Sequence, residues 1–406
     1  MKRFQWIAAG VAAVVSTGLG TISAQAQDPK VLKIGVINDQ SGLYADMGGV
    51  GSVVAARLAI ADSGLLDRGW KIDVVSADHQ NKPDVASNIV RRWFDIDGVD
   101  VITDVTNSAV ALSLSQLARE KNKVELASGA ATSDLTGKAC SPNTIHWTHD
   151  TWALANGTGK AIVETGGDSW YFLTADYAFG HALKNDTAAI VEKTGGTIVG
   201  EVLTPLNTSD FSSFLLQAQA SGAKIVGLAN SGVDTSNSIK QASEFGIVQS
   251  GQKLAGLLVY ITDVHAIGLQ IAQGLILEAA FYWDLNDGTR DFSDRFAKEM
   301  NGRKPTMVQA GVYGSVFHYL KAVEALEASS DGAAVVAKMK ELPVDDIVMG
   351  KGEVRADGRK IHDMYLFEVK SPEESQGPWD YYKLIATIPA ADAFRPLDQG
   401  GCAMVQ

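Results

Sequence analysis

The residues best suited to chemistry in this chain are the small and hydroxylated ones of Lys123–Gly137, KVELASGAATSDLTG. Val124 and Leu126 give way to Ala127, Ser128, Gly129, Ala130 and Ala131, then to Thr132, Ser133 and Asp134. Without bulky side chains a ligand can reach the backbone N–H groups, and the Thr132 and Ser133 hydroxyls add donors. Such a set suits an anion, a carboxylate above all. Taken alone, the same letters fit an ordinary strand-to-turn connection better, so the neighbouring elements have to decide.

Other constellations are weaker. His146 and His149 stand three apart, but no third ligand is spaced to join them, and an extended segment turns their rings to different faces. They read as polar residues between domains, or one of them as a ligand contact, and no metal is expected. Gly48-Gly49-Val50-Gly51 lacks the G-x-G-x-x-G spacing and a following ribose-binding acid, so no cofactor is expected. Ser128-Gly129 lacks the G-x-S-x-G elbow, and nothing marks a His and an Asp as its partners, so no catalytic residue is assigned.

The amino terminus carries Lys2 and Arg3, an apolar stretch from Trp6 to about Leu19, and Ala24-Gln25-Ala26. That is the pattern of a cleaved signal peptide over residues 1–26. The apolar part is too short for a comfortable membrane span, and no comparable run follows. No cysteine stands at the cleavage site to take a lipid, so a soluble product in the periplasm or outside the cell is expected. Removing Lys2 and Arg3 takes the formal charge from -12 to -14. An acidic surface argues against nucleic acid and anionic membrane as partners. The two cysteines, Cys140 and Cys402, suggest a disulfide in an exported chain. It would tether the carboxyl-terminal tail just beyond the anion segment, and on chain-entropy grounds so long a loop is worth roughly 4 to 5 kcal/mol before strain.

About 380 residues remain, 406 minus 26, which points to two domains. Strand-like Val31–Asn38, Lys71–Ala77, Val99–Val105 and Val124–Ala127 alternate with helical stretches, including one opened by Pro83. The alternation restarts at Trp170–Thr174 and continues through Thr197–Leu203, Lys224–Ala229 and Leu254–Tyr260, with Gly274–Trp283 as a further strand. The fold class is therefore α/β, two doubly wound lobes with parallel-type sheets. Residues 27–146 and 284–343 are assigned to lobe 1, and 147–283 and 344–406 to lobe 2. Strand-like crossings are expected near Ile145–His149, Phe281–Trp283 and residues 343–350. In open parallel sheets ligands bind beyond the carboxyl ends of the strands. The anion segment is one such end and falls on the wall of a cleft between the lobes.

Several stretches in order carry a resemblance: KIGVINDQSGLYADMGG, NSAVALSLSQLA, ELASGAATSDLTG, TADYAFGHAL and GEVRADGR followed by MYLFEVK. Together they resemble the leucine/isoleucine/valine-binding group of type I periplasmic binding proteins, the soluble receptors of ABC importers, over nearly the whole mature chain. The resemblance implies three hinge crossings, closure around a small carboxylate, a permease in the inner membrane as partner, and binding rather than catalysis. It assigns the carboxylate to Asn107, Ser108, Ala130 and Thr132, the first two opening a helix whose free N–H groups favour an anion. An aromatic contact falls near Tyr44 or Met47, and a second-lobe contact on Tyr177 or Phe179. Where the family places an acid against a ligand ammonium, this chain reads GLLVYITDVHAIG. Tyr260 stands there, with Asp263 and His265 nearby and Asp234 as an alternative. With Trp147, Trp152 and Trp283 close in sequence to the crossings, the expectation leans to an aromatic or other hydrophobic acid over a branched-chain amino acid. A monomer is expected, and a periplasmic sensor for a signalling partner is the alternative of another class.

Overall fold

In the computed structural model residues 30–405 and Met1 are described, and the expected signal peptide lies outside the described residues apart from Met1. The first lobe opens with β1 (Val31–Asn38), whose Leu32, Ile34, Val36 and Ile37 are fully buried. Next come α1 (Gly49–Asp62), β2 (Lys71–Asp78), α2 (Pro83–Arg92) and β3 (Val101–Asp104). α3 (Ser108–Glu120), β4 (Val124–Ala127) and β5 (Thr144–His146) complete this run. The five strands form one parallel sheet in the order β2-β1-β3-β4-β5. β3 and β4 are buried throughout and β1 nearly so, and strands buried on both faces read as short apolar runs.

α4 (Thr151–Leu154) starts on an Asp150 side chain that accepts from the Ala153 N–H, and runs through a π-turn into α5 (Lys160–Glu164). The second lobe then holds β6 (Ser169–Ala175), α6 (Ala178–Lys193), β7 (Thr197–Thr204), α7 (Ser212–Ala220), β8 (Ile225–Ala229), α8 (Val233–Glu244) and β9 (Lys253–Gly256). Its sheet is parallel in the order β7-β6-β8-β9. The strand expected to reach Tyr260 stops at Gly256. The Asp263 carboxylate takes the Tyr260 N–H at 2.8 Å and opens α9 (Ile261–Ile267), so a local cap overrides the apolar run. α10 (Leu269–Ala272) follows, and of the expected Gly274–Trp283 strand only β10 (Ile276–Ala279) forms.

α11 (Asp287–Glu299), α12 (Met307–Leu326) and α13 (Gly332–Glu341) return to the first lobe, α12 lying on α1 and β3 with apolar residues buried all round it. β11 (Val344–Asp346), β12 (Gly350–Val354) and β13 (Lys360–Ile361) form a small antiparallel sheet. This segment, assigned by sequence to the second lobe, lies against α12 and α13 and bridges β5 through Arg359 and His146. β14 (Met364–Val369) and β15 (Tyr382–Ile388) then extend β10 into a second, antiparallel sheet, and α14 (Ala390–Ala393) leads into the tail. The two main sheets are thus parallel, with two antiparallel additions built largely from the short β-like pieces that follow Pro343.

The first crossing is held by a buried cation. Arg359 is fully buried and donates to the carbonyls of Trp147 at 2.9 Å and His149 at 3.2 Å, while the ring of Phe394 lies 4.3 Å below its guanidinium. Beyond Phe394 the tail returns to the first lobe. Arg395 donates to the Ser133 carbonyl at 3.0 Å, and Cys402 forms the expected disulfide with Cys140. The lobes therefore have a covalent tie additional to the peptide crossings. Cys140→Ser with Cys402→Ser is expected to lower stability by about 2 to 5 kcal/mol, read as a lower urea midpoint; a midpoint unmoved by the double substitution or by reduction contradicts a structural role for the bridge.

Candidate ligand-binding cleft

The floor of the cleft begins where β3 ends. Asp104 and Val105 both lie in the left-handed region, at φ 77° and 54°. Such conformations cost non-glycine residues of order 1 to 3 kcal/mol each and persist only where neighbours impose them. Here the Asp104 carbonyl accepts from the N–H groups of Ser128 at 3.0 Å and Gly129 at 2.9 Å, and Val105 N–H donates to Ile37 at 3.0 Å. The turn delivers Thr106, Asn107 and Ser108 to the start of α3. Asn107 Oδ1 caps the helix, accepting from Ala109 at 2.9 Å and Val110 at 3.1 Å. Ser108 Oγ in turn accepts from the N–H groups of Ala131 at 3.3 Å and Thr132 at 3.2 Å. The helix start and the loop after β4 are thereby knitted into one surface rich in amide and hydroxyl donors.

The near wall is organised by Asp39. Its carboxylate accepts from the N–H groups of Ser41, Gly42 and Tyr44 at 3.2, 2.6 and 3.0 Å, and from the Asn81 amide at 2.5 Å. That loop carries Tyr44 and Met47 to the cleft, and the Met47 carbonyl is fixed by Thr306 Oγ1 at 2.6 Å. The far wall comes from the second lobe: Tyr177 and Phe179 after β6, Ser231 after β8, Leu258 and Tyr260 after β9. The lobes meet here. Tyr44 and Tyr177 share a hydroxyl hydrogen bond of 2.5 Å, and Val233 N–H donates to the Leu43 carbonyl at 3.3 Å. Gly232, at φ 63°, permits that approach, since a Cβ there would stand 2.5 Å from the Leu43 oxygen. The free space left between the walls is about 10 Å³, far below the roughly 300 to 1,000 Å³ of drug-sized sites. A larger groove, about 600 Å³, lies by Ile225, Ile239 and Leu254, at the amino ends of β8 and β9 and so at the opposite end of the strands from the cleft.

No charged side chain lines the cleft among the described residues. Burial raises the phenols of Tyr44, Tyr177 and Tyr260 well above their ordinary range, so all three stay protonated donors. His149, beside Tyr260 with its Nε2 3.5 Å from the hydroxyl, is depressed to about 3 by burial and is neutral. Asp263 is occupied by the Tyr260 N–H and by Ser236 Oγ at 3.2 Å, and burial pushes it to about 7. Asp234 accepts from Asn207 N–H at 3.0 Å and is pushed to about 6 by burial, and its Oδ1 has no partner among the described residues.

Of the residues singled out from the sequence, Tyr44, Met47, Ser108, Tyr177, Phe179 and Tyr260 converge on this space. Asn107, Ala130 and Thr132 sit immediately behind them: Asn107 is spent on the helix cap, the Ala130 carbonyl pairs with His146 Nε2 at 2.7 Å, and Thr132 caps the next turn through Asp134 N–H at 3.4 Å. Three are elsewhere. Trp152 faces the groove beside α14, Trp283 donates to the Trp379 carbonyl at 2.7 Å under the Lys304 ammonium, and Asp234 does not line the space. His265 stacks on Trp379 at 4.1 Å, and Phe281 packs edge-on against Phe292. Leu258 fell inside an expected strand, and no role was read for Asp39, whose Asp-x-Ser-Gly pattern is an Asx-turn signal.

Residues 31–377 match the periplasmic binding protein family. A periplasmic binding protein from Burkholderia mallei is 49% identical, with 92% of this chain and 99% of that one covered and a TM-score of 0.89. A branched chain amino acid ABC transporter periplasmic ligand-binding protein from Burkholderia xenovorans is 40% identical, with 92% and 100% covered and a TM-score of 0.81. A solute binding protein of an ABC transporter from R. palustris, solved with 4-hydroxybenzoate, shares the fold at a TM-score of 0.80 with 21% identity, over 89% of this chain and 97% of that one.

The Asp39 hub yields a direct expectation. Asp39→Ala should release the Gly42 and Tyr44 amides to faster hydrogen exchange and lower stability by about 1 to 3 kcal/mol, the cost of leaving buried donors unpaired. Unchanged exchange at both amides would show that the loop is held without it.

Proposed function

The chain belongs to the periplasmic binding protein family, and from that premise we propose that it traps a small carboxylate with an aromatic or other hydrophobic body and delivers it to an ABC permease in the inner membrane. The observation that carries the reading is the division of the cleft: small residues and the hydroxyls of Thr106 and Ser108 on the first-lobe floor, uncharged rings and phenols opposite. Donors at a helix start offset a carboxylate charge, whereas an ammonium would meet only neutral groups on the lining. Ser108 meets the carboxylate first in this scheme, and Ala130 and Thr132, immediately behind it, complete the anion site once the Thr132 hydroxyl turns its proton toward the ligand. Closure brings Tyr177 and Tyr260 over the ring, where aromatic contacts add about 0.5 to 1.5 kcal/mol beyond burial. Release requires breaking Tyr44–Tyr177 and Val233–Leu43, so a ligand binding the closed form more tightly shifts the population toward it.

The protein acts in the periplasm as a monomer in this reading, after loss of about residues 1–26. The hinge then runs through residues 146–150, 280–284 and 361–364, the last because β11 to β13 lie on first-lobe helices. Two relatives in fold support different ligands: the B. xenovorans protein is described for branched chain amino acids, and the R. palustris protein holds 4-hydroxybenzoate. A branched-chain amino acid is the second reading, favoured by the unpartnered Asp234 Oδ1 close behind Tyr44 and Tyr177.

A thermal-shift and calorimetric comparison of benzoate and 4-hydroxybenzoate with leucine and valine separates the two. The aromatic acids are expected to stabilise the protein, and stabilisation by leucine or valine alone rejects the aromatic reading. Thr132→Ala should weaken binding by about 1.5 to 3 kcal/mol, the worth of a hydrogen bond to a charged group; unchanged affinity removes that hydroxyl from the site.

A further inference from the structure

One acid in this molecule is placed where an anionic ligand must feel it. The Asp104 carboxylate is fully buried behind the cleft floor, clamped between two glycines. Its Oδ1 lies 2.7 Å from where a Cβ on Gly129 would stand, and its Oδ2 lies 2.7 Å from the corresponding point on Gly48. Gly129 lines the cleft, and so does Thr106, whose methyl touches the same two points. Any larger residue at either glycine would drive the acid out of its slot. Oδ2 accepts from Asn38 Nδ2 at 2.7 Å, and Oδ1 has no partner among the described residues.

We infer that Asp104 couples ligand capture to a proton: an anion enters the cleft together with a proton on the Asp104 carboxyl. The inference rests on the anionic ligand proposed above. An anion on the cleft side of the Gly129 backbone and an ionised Asp104 behind it repel in a poorly solvated site, and protonating Asp104 removes the repulsion. The groups facing Asp104 do not offset its charge. From β1 and α1 come only the Asn38 amide and the Ser52 hydroxyl, and its register partners Ile37 and Ala127 are apolar. Across Thr106 Oγ1 stands His79, 3.2 Å away, which burial depresses to about 4 and keeps neutral. Asp39, on the same side, is saturated by its own loop. From the second lobe only the Tyr260 phenol approaches, and it is protonated.

Burial, offset in part by the Ser52 and Asn38 side chains, raises the Asp104 carboxyl to about 6 in the free protein. A bound anion raises it further, so affinity is full below that value and falls as pH rises through it, by up to tenfold per pH unit until the value in the complex is passed. Asp234 and Asp263 also titrate in this window, near 6 and 7, so the variant has to carry the distinction.

The test is calorimetry of benzoate binding from pH 5 to 8, in buffers of different ionisation heat, on the wild-type protein and Asp104→Asn. Wild type is expected to bind about tenfold more weakly at pH 7.5 than at pH 6 and to take up close to one proton near pH 7, while the variant shows a flat profile. A flat wild-type profile overturns the inference. So does a slope that persists in the variant, which assigns the proton to Asp234 or Asp263. Should the variant fail to fold, the carboxyl resonance of Asp104 followed by NMR in wild type decides: a midpoint near 6 that moves up with benzoate supports the coupling, and a midpoint below 4.5 overturns it. Failure of benzoate to bind counts against the ligand reading above, and the same midpoint in the free protein then judges Asp104 by itself.

Discussion

Everything at the cleft depends on how the chain leaves β3. Asp104 and Val105 take left-handed conformations that their side chains disfavour, and the turn they make throws Thr106, Asn107 and Ser108 out of the sheet to start a helix. The strain is repaid locally by the Ser128 and Gly129 amides, which bond back to the Asp104 carbonyl. One turn therefore fixes both halves of the floor, the helix start and the loop after β4. Were the chain to leave β3 in an ordinary extended geometry, the donors of those two loops would not face a common point.

The second dependency is mechanical. The cleft is closed by few contacts, a pair of phenols and one backbone hydrogen bond, and such contacts can be broken and remade at little cost. The region behind it is the reverse. Arg359 fills the space beneath the first crossing, gripping its carbonyls, and the tail passes over Phe394 and Arg395 to reach the disulfide. Weak contacts at the mouth and strong ones at the hinge are the arrangement expected of a receptor that opens and closes about a fixed axis. The tie from Cys402 to Cys140 bears on the segment just beyond the loop after β4.

Much of the fold was legible from periodicity. The strands of both parallel sheets came out of apolar runs bounded by turn residues, and Pro83 and Asn107 marked helix starts where helices begin. Legibility failed where a local hydrogen bond overrode the pattern. Tyr260 sits at the end of an apolar stretch that reads as strand, yet the Asp263 carboxylate three residues on makes it a helix cap. α13 was missed because its short Ala- and Val-containing stretch carries no strong signal beyond the Asp331 cap. Trp152 and Trp283 were placed by nearness in sequence to the crossings, and sequence distance says little about which way a side chain near a hinge points.

The sequence by itself determined the α/β class, the two lobes, the cysteine pair and the small, hydroxylated composition of Lys123–Gly137, because these follow from local composition and the repeat of strand and helix. Only the tertiary structure decided which residues share the cleft. Ser231 and Leu258 reach it from strands far along the chain, Asp39 shapes it from a loop, and Asp104 lies behind it in a slot that exists only because Gly48 and Gly129 meet there. Packing between segments distant in sequence creates these juxtapositions, and no pattern within a single segment encodes them.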